Sequence, residues 1–320
     1  MLGYYRVTIF FILLCGYNIS HAGLPVRNYN PFALMVGLTE LRSASLLPAQ
    51  AMQISVNSTL SNQWNVATEG NETLFIDGEV HITDFTLRYG FSHLELMLSI
   101  PWLAYQKGHL DPWVEDFHNL FSMPNAGREN YPQNQLQFVY ANARSGESLR
   151  LDNPVSGVGD ARISLAAQLK HNDTFASSIG VQLKLANADE EQWLGSGSYD
   201  VALYNNFEWL QGKWQTQMQL NVILMQQKGF LKEQKKNAAA AVGVAVNYNM
   251  TSRLWWVLQY DAHTALFNKS NKKPLGHGQM LSVAVAWRGK SWGSHFAILE
   301  DIDVDSVPDI GFQFGLQKNL

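Results

Sequence analysis

The sequence predicts an all-β fold: a transmembrane antiparallel β-barrel of 12–14 strands with one short helix in a long loop. Three observations predict it. Apolar and polar residues alternate with a period of two through most of the chain, short and long connections follow one another, and aromatic residues lie beside the short connections. The first observation defines the strands, the second their antiparallel order and the third a membrane environment.

Alternation of apolar and polar residues defines the strands. In residues 51–61, Ile54 and Val56 share one face while Gln53 and Ser55 share the other, because successive side chains of a strand point to opposite faces. The alternating segments have about ten residues, the length that a tilted membrane-spanning strand requires. The predicted strands are 51–61, 73–91, 94–103, 135–144, 147–153, 160–170, 175–186, 199–208, 214–225, 238–248, 253–263, 279–287, 292–300 and 309–317.

Two segments complicate the strand number. In 73–91 the apolar face changes between Ile82 and Phe85, so we predict a β-bulge at 83–84. The 135–153 hairpin allows two barrels, with fourteen strands if it joins the wall and twelve if it stays outside. Both numbers are even, as expected for a bacterial outer-membrane barrel.

Connection lengths and aromatic residues orient the barrel. Short turns such as Ser92-His93 alternate with longer loops, an arrangement in which the short turns face the periplasm. Aromatic residues at the short turns, among them Trp214 and Trp287, fit a girdle of rings at a membrane interface. A soluble β-sandwich is the alternative, but it gives no reason to place aromatic residues at strand ends.

Composition excludes several other classes of protein. The chain has 320 residues, 46% of them apolar and 16% charged, with one cysteine, so a disordered chain and a disulfide-stapled miniprotein are excluded. The net charge of −4 and the lack of a basic stripe argue against nucleic acid as a partner. Beyond the N-terminal residues no apolar run reaches the length of a membrane-spanning helix, so a membrane crossing must use strands.

The N-terminal residues predict export to the bacterial outer membrane. Arg6, an apolar run ending at Cys15, and Ala22 before Gly23 form the pattern of a secretory signal peptide. The segment that follows lacks sustained alternation, so an arm, an extra strand and a plug in the lumen all stay open. The predicted organisation is a signal peptide at 1–22, an N-terminal periplasmic arm or plug at 23–50 and an outer-membrane β-barrel at 51–320.

One stretch of the longest loop, Leu110 to Phe121, has helical character. Asp111 and Pro112 suit its start, and it either folds into the barrel mouth or lies on the lipopolysaccharide surface. Asp111, Asp116 and His118 are the candidate functional residues of this loop, without a nucleophile at a fixed spacing. The apolar face of the helix comprises Trp113, Val114, Phe117, Leu120 and Phe121.

Charged residues on the polar faces of strands are the candidate lumen-lining residues. Asp77, Glu79 and His81 alternate along one strand and therefore point the same way. A wet, polar lumen explains them without a metal or a catalytic role. The other candidates carry both signs of charge, which favours paired charges over an ion filter of one sign: Asp160, Arg162, Lys170, Lys184, Arg253 and Asp261.

No catalytic or metal-binding motif is complete. Asp301, Asp303 and Asp305 begin like a calcium loop, but Ser306 and Phe312 occupy the positions that require glycine and a bidentate glutamate. We therefore predict no catalytic residue, no metal site and no cofactor.

Several short motifs resemble the domain-of-unknown-function 3187 family, and the resemblance covers nearly the whole chain after the signal peptide. It implies a bacterial outer-membrane protein of β-barrel type, loosely akin to barrels encoded with aromatic-compound degradation pathways, and it implies no known activity. The motifs are Pro25-Val26-Arg27-Asn28 with Asn30-Pro31, Asp77-Gly78-Glu79, Arg88-Tyr89-Gly90, Ile100-Pro101, the stretch from Gly108 to His118, Gly157-Val158-Gly159-Asp160 and the stretch G-S-G-S-Y-D from Gly195.

The preferred functional hypothesis is a passive channel or binding protein for a small solute, with selection by charge and size in the lumen. A structural or surface-interaction barrel with a plugged lumen is the alternative, and an outer-membrane hydrolase is the third and least favoured, so no enzyme is predicted. The expected partners are outer-membrane lipid, the barrel-assembly machinery and an unidentified small solute. Lipopolysaccharide is a further candidate partner, through Lys228, Lys232, Lys235 and Lys236 of one outer loop.

Overall fold

A computed structural model describes residues 23–122, 125, 127–268, 270, 272–302 and 306–320. The predicted signal peptide, residues 1–22, lies outside these described residues. No helix in the described part of the chain is long and apolar enough to cross a membrane.

Fifteen strands run through the described residues, and every paired ladder is antiparallel. Their bounds are β1 Met52–Glu69, β2 Glu72–Gly90, β3 Leu94–Gln106, β4 Gln137–Asn142, β5 Glu147–Leu151, β6 Val155–Val158, β7 Arg162–His171, β8 Phe175–Lys184, β9 Asp200–Gln211, β10 Trp214–Met225, β11 Ala238–Asn249, β12 Leu254–His263, β13 Gly278–Arg288, β14 Trp292–Asp301 and β15 Ile310–Asn319.

Twelve of these strands close into a barrel. Neighbours in the wall are mostly consecutive in the chain, and pairing of β1 with both β15 and β2, together with pairing of β2 with β3, completes the ring. The strands β4, β5 and β6 extend the sheet beyond the ring. There β4 pairs with the N-terminal part of β2, and β6 pairs with the C-terminal part of β3. The predicted hairpin thus stays outside the barrel, and the barrel has twelve strands.

The outer face of the wall carries a continuous apolar band. Ile54 and Val56 of β1 are 43% and 39% exposed, and Phe314 of the adjoining β15 is 55% exposed. Gln53 and Asn57, which alternate with them, are buried on the inner face. A contiguous apolar band around a closed barrel is the surface that faces lipid, so the alternation places the bilayer outside and polar groups inside.

The predicted β-bulge at 83–84 is wrong. The pairing of β2 with β1 and with β3 continues through this position without a register shift. The apolar face changes because the surroundings change: Val80 and Ile82 point inward and are fully buried, whereas Phe85 points outward and is 50% exposed. In the part of β2 that extends beyond the lipid-facing band, the apolar side chains therefore face the protein interior.

A register shift occurs instead in β7, between Gln168 and Lys170. The extra residue reverses the alternation at the end of the strand, as a bulge does. Lys170 consequently pairs in register with Ser177, whose neighbour in β9 is Phe207, and it lies on the outer face.

Two α-helices occur in the described residues: α1, Pro31–Leu34, and α2, Asp111–Phe121. The bounds of α2 confirm the predicted helix to within one residue. The helix α1 was not predicted. Asn30 caps it, since its side-chain oxygen accepts from the N–H of Phe32 at 2.9 Å, and Pro31 occupies the first helical position.

Candidate functional site: the plugged barrel interior

Residues 23–50, here called the plug, lie inside the barrel and are mostly buried. The C-terminal end of the plug joins β1 at the end with the short turns, which is the periplasmic end in barrels of this type. At the opposite, extracellular end, the N–H of Gly37 donates to Asp200 Oδ2 at 2.8 Å. On the N-terminal side of α1, the N–H of Leu24 donates to Gln259 Oε1 at 2.6 Å. The plug therefore has two limbs that both occupy the lumen.

Side chains of the wall hold the plug up to its last residue, Gln50, whose N–H donates to the Gly90 carbonyl at 2.8 Å. Among the described residues no part of the plug belongs to the sheet. Thr39 Oγ1 donates to Asn221 Oδ1 at 2.5 Å, and Ser43 Oγ donates to Glu208 Oε2 at 2.8 Å. Withdrawal of the plug would break such contacts and leave the backbone ladder of the wall intact.

Arg27 ties the two limbs of the plug to each other and to the wall. Its guanidinium, only 4% exposed, pairs with Glu40 of the other limb and with Asp84 of β2, at 3.1 Å for Nη1 and Asp84 Oδ2. Burial alone lowers the pKa of Arg27, but the two carboxylates outweigh it and raise this pKa above its ordinary value. Arg162 of β7 lies 3.8 Å from the same Asp84. The centre of the lumen is thus a network of paired charges.

A glycine in the wall makes room for a second arginine contact. Beside Gly180 of β8 the ring of Tyr204 lies so close that a Cβ there would come within 2.4 Å of it. Arg42 of the plug stacks on this ring, with its guanidinium carbon 4.9 Å from the ring centre, and donates to the Tyr204 hydroxyl at 3.0 Å. It also donates to Gln182 Oε1 at 2.6 Å. The absence of a side chain at position 180 therefore allows the Tyr204 ring to lie where Arg42 of the plug binds it.

A cavity of about 100 Å³, here called the vestibule, lies in the periplasmic part of the lumen, against the plug. Ser55 and Asn57 on the inner face of β1 line it, whereas Thr59, nearer the extracellular end, is 1% exposed. The charged and titratable lining residues of the vestibule are Glu40, Arg42, Arg88, Arg288 and His295.

A second, smaller cavity of about 30 Å³ lies between the plug and strands β10 to β13. Thr39 and Asn28 of the plug and Asp261 and His263 of β12 line it. Asn28 Nδ2 lies 2.9 Å from His263 Nε2. Leu41 of the plug lines both cavities, so the plug forms a wall of each.

Aromatic side chains close the extracellular end. Phe32 of α1 is fully buried, and its ring centre lies 5.5 Å from that of Trp193, 5.9 Å from Phe230, 6.1 Å from Tyr140 and 6.5 Å from Phe267. These five residues, here called the aromatic cap, come from the plug, β4 and three outer regions of the chain. Three of the four ring pairs are edge-to-face, a favourable aromatic geometry that stabilises the top of the plug.

Comparison of the sequence identifies the family. The family of proteins of unknown function DUF3187 matches residues 15–320. The chain belongs to this family. A search of curated proteins gives no match.

Solved structures resemble this DUF3187 chain at low sequence identity. The crystal structure of the COG4313 outer membrane channel from Pseudomonas putida F1 has a TM-score of 0.60 at 12% identity and aligns over 87% of this chain and 98% of that chain. A FadL homologue from Pseudomonas aeruginosa has a TM-score of 0.41 at 9% identity, over 93% of this chain and 99% of that chain. The first likeness establishes the fold of the DUF3187 chain as that of an outer-membrane β-barrel.

Four predicted lumen-lining residues of the DUF3187 chain lie on the inner side of the barrel: Asp160, Arg162, Lys184 and Asp261. Lys184, with no exposed surface, donates to Asp160 Oδ2 at 3.0 Å and to Ser196 Oγ at 2.5 Å. Asp261 Oδ2 accepts from Gln259 Nε2 at 2.8 Å beside the smaller cavity.

Two other predicted lumen positions are wrong. The bulge in β7 turns Lys170 outward, where its amine lies 5.6 Å from the centre of the Phe175 ring. Arg253 is exposed in the turn before β12 and does not reach the lumen. In both cases the prediction assumed regular alternation beyond the regular strand: Lys170 follows a bulge, and Arg253 precedes the first residue of β12.

The lumen prediction is also wrong for Asp77, Glu79 and His81. They share the outer face of β2 with Phe85, because the register continues without a shift. They are polar because the loop that follows β3 covers this part of the wall: Glu79 Oε1 accepts from the N–H groups of His109 and Leu110, at 2.5 Å and 2.8 Å.

The loop candidates are separated by the structure. Asp111 is 3% exposed and binds Asn62 and Arg128, whereas Asp116 is exposed to solvent. The side chain of His118 lies outside the described residues, as do Asp303 and Asp305. No cluster of three or more potential metal ligands occurs in the described part of the chain.

A serine–histidine contact bears on the hydrolase hypothesis. Ser58 Oγ and His81 Nε2 lie 2.7 Å apart on the outer face of the wall. Glu79, two residues along the same face, is occupied by two backbone N–H groups of the covering loop. The contact therefore satisfies two polar side chains, and none of its described hydrogen bonds joins a carboxylate to His81 as a catalytic triad requires.

The sequence reasoning missed the charged residues that hold the plug. Arg27, Glu40 and Arg42 lie in a segment without strand periodicity, so no face was assigned to them. Glu208 was available from the alternation, since it has the same parity in β9 as Asp200. Lys235, expected to contact lipopolysaccharide, is fully buried and donates to Ser198 Oγ at 2.8 Å.

Proposed function

We propose that this protein is an outer-membrane channel for a small solute, closed by the plug in this conformation and opened when the plug withdraws. The observation that carries the proposal is the way the plug is bound. Before Gln50, whose N–H donates to the Gly90 carbonyl, its polar contacts with the wall are hydrogen bonds to or from wall side chains and ion pairs, such as Thr39 with Asn221 and Arg27 with Asp84. A segment held this way can move without opening the barrel, whose own ladder is complete.

The vestibule supports passive passage and solute binding rather than catalysis. Three arginines against one glutamate make its charged lining largely cationic, which provides selection by charge and size at the periplasmic end. It holds Arg42, which belongs to the plug, so a solute in the vestibule contacts the element that has to move. The proposal assigns no catalytic step to the protein.

A disulfide across the plug and the wall tests the proposal. A chain of residues 23–320 contains no cysteine, because the only cysteine of the sequence is Cys15. In the variant Thr39→Cys/Asn221→Cys the new side chains replace two groups in hydrogen-bond contact. We expect single-channel conductance in a planar bilayer to be lost on oxidation and to return on reduction.

A matched control places a disulfide within the wall. Ser55 of β1 and Gln317 of β15 are register partners on the inner face, so Ser55→Cys/Gln317→Cys crosslinks two strands that do not separate during opening. Its conductance should not respond to oxidation. Equal conductance of the oxidised and reduced plug variants would contradict opening by plug withdrawal.

A structural barrel with a permanently plugged lumen is the second candidate. The aromatic cap favours it, since Phe32 packs against four rings and fixes the top of the plug. A correctly folded protein that stays silent in the reduced state at all applied potentials would support this candidate over the channel.

A further inference from the structure

The long loop after β3 attaches to the outside of the barrel, and its first contact is made by Asp111 at the start of α2. Asp111 Oδ1 accepts from Asn62 Nδ2 at 2.8 Å, and Asp111 Oδ2 accepts from the N–H of Asn134 at 2.6 Å. Asn62 has the parity of Ile54 and Val56 in β1, which places it on the outer face. The start of α2 is thus fixed to the outer wall and not to the mouth of the barrel.

Arg128 completes this attachment. Its guanidinium donates to Asn62 Oδ1 at 2.8 Å and to Asp111 Oδ1 at 3.3 Å, and it pairs with Asp309 before β15. It is 3% exposed and lies 5.6 Å from the centre of the Trp64 ring. The loop therefore has a buried polar anchor that sets the height of α2 on the wall.

The helix α2 lies at the upper edge of the lipid-facing band. The ring of Trp113 is 5.4 Å from that of Phe312 in β15, and Phe312 stacks on Phe296 of β14 at 6.4 Å. Phe296 and Phe314, on the same outer face, are 50% and 55% exposed. The helix is therefore continuous with the surface that the barrel presents to lipid.

Part of the apolar face of α2 is exposed in the described structure. Trp113 is 48% exposed, and Leu120 is 76% exposed, more than any other large apolar side chain in the described part of the chain. Residues seven apart in a helix lie on nearly the same side, so these two side chains form one exposed strip. Val114, on the neighbouring side, is 1% exposed.

We propose that α2 is an interfacial anchor that lies in the outer leaflet of the outer membrane, with Trp113 and Leu120 among the acyl chains of the lipid. Tryptophan is favoured at this depth because its ring is apolar and its N–H finds polar partners. The buried side of the helix meets the wall, the exposed strip meets lipid, and the exposed polar residues Asp116 and Asn119 meet water.

The anchor acts through apolar surface and not through charge. Interfacial helices that bind by charge carry lysine and arginine on the polar face, whereas α2 carries Glu115 and Asp116 there. The protein contacts of Asp111 and Arg128 already hold the helix at the membrane surface, so no electrostatic recruitment is needed. Insertion should therefore not weaken when the salt concentration is raised.

Spin labels on single cysteines test the proposal in the 23–320 chain, reconstituted into phosphatidylcholine vesicles. The test position is Leu120→Cys, and its matched control is Asn119→Cys, an exposed neighbour about 100° away around the helix. Leu258→Cys on the lipid face and Arg253→Cys in a periplasmic turn calibrate lipid and water. Heat-modifiable migration on a gel verifies that each variant has folded.

We expect the label at position 120 to be relaxed by oxygen several-fold more than by a water-soluble nickel chelate, as at position 258. The label at 119 should respond to nickel, as at 253. Nickel access at 120 equal to that at 253 would overturn the proposal, because the strip would then face water. Exclusion of both reagents at 120 would also overturn it and would indicate cover by protein, such as a second copy of the chain.

Discussion

The ammonium of Lys184 lies 3.0 Å from the carboxylate of Asp160, and no atom of Lys184 is accessible to solvent. The same ammonium donates to the Ser198 carbonyl at 2.7 Å and lies 3.6 Å from Asp200. Asp200 in turn accepts from the backbone of Gly37 in the plug. One buried lysine thus connects the wall, an outer loop and the plug.

Replacement of Lys184 by methionine should loosen this end of the barrel. The change removes the ammonium that pairs with Asp160 and Asp200, and breaking a buried ion pair by removing one partner typically costs about 3–5 kcal/mol. We expect a lower free energy of unfolding in a urea titration and faster proteolysis of the 186–199 loop, while the wall still closes.

Lys170→Met is the matched control, because Lys170 is exposed on the outer face and makes no ion pair in the described structure. It should change stability by no more than about 0.5 kcal/mol. Adding Asp160→Asn to Lys184→Met should recover part of the loss. A Lys184→Met protein as stable as Lys170→Met would show that the buried pair does not hold the loop.

Replacement of Phe32 by alanine should weaken the closure of the extracellular end. Phe32 is fully buried among four rings, and removal of a buried phenylalanine side chain costs about 3–5 kcal/mol. Because Phe32 belongs to the plug, the loss falls on the closed state, and channel opening should become more frequent in bilayer recordings. Phe85→Ala, a change on the lipid face where the side chain is 50% exposed, is the control and should not alter opening.

Closure of the 226–237 loop should depend on pH through Lys235. Burial lowers the pKa of Lys235 to about 8, although Asp200 partly opposes this, against an ordinary value of 10.5. At a pH between these two pKa values, the Lys235 amine is deprotonated when the loop is closed and protonated when the loop is open. Closing then releases a proton, so the closed-to-open ratio rises with pH, by at most about tenfold per pH unit.

Cleavage after the exposed Lys232 measures this equilibrium, with protease activity normalised on a peptide at each pH. Cleavage should slow as pH increases from about 8 towards 10.5 in the parent protein. In Lys235→Met the normalised rate should stay flat. An identical slope in both proteins would exclude Lys235 as the titrating group.

Strand prediction succeeded where lipid and the polar interior face opposite sides of the same strand. The bounds of β10 agree residue for residue with the predicted 214–225, since Leu220 and Val222 are exposed to lipid while Gln217 and Gln219 are buried inside. There the contrast between the two faces is complete, and alternation reports it directly.

The same reasoning failed above the bilayer. In β2 the outer face at Asp77 and Glu79 is covered by protein, so polarity no longer distinguishes lumen from exterior. Alternation shows that these residues share a face but not which face it is. The plug was left open for a different reason: its conformation depends on wall side chains such as Asn221 and Gln259, which are distant in sequence.

Gly180 should be sensitive to substitution because of the ring beside it. A Cβ at this position would lie 2.4 Å from the ring of Tyr204, so Gly180→Ala must displace the ring on which Arg42 of the plug is stacked. Overpacking of this kind costs about 1–3 kcal/mol. The lost free energy comes from the contact between Tyr204 and Arg42 of the plug. We therefore expect more frequent channel opening, while the barrel stays intact and heat-modifiable.

Gly311→Ala is the matched control for this prediction. Gly311 lies in β15, and a Cβ there would meet Leu299 at 3.4 Å, an ordinary contact. The same added methyl group should therefore leave both unfolding and conductance unchanged. If Gly180→Ala changed stability without changing the opening frequency, Tyr204 would be a packing residue of the wall only, and the stack with Arg42 would not contribute to closure.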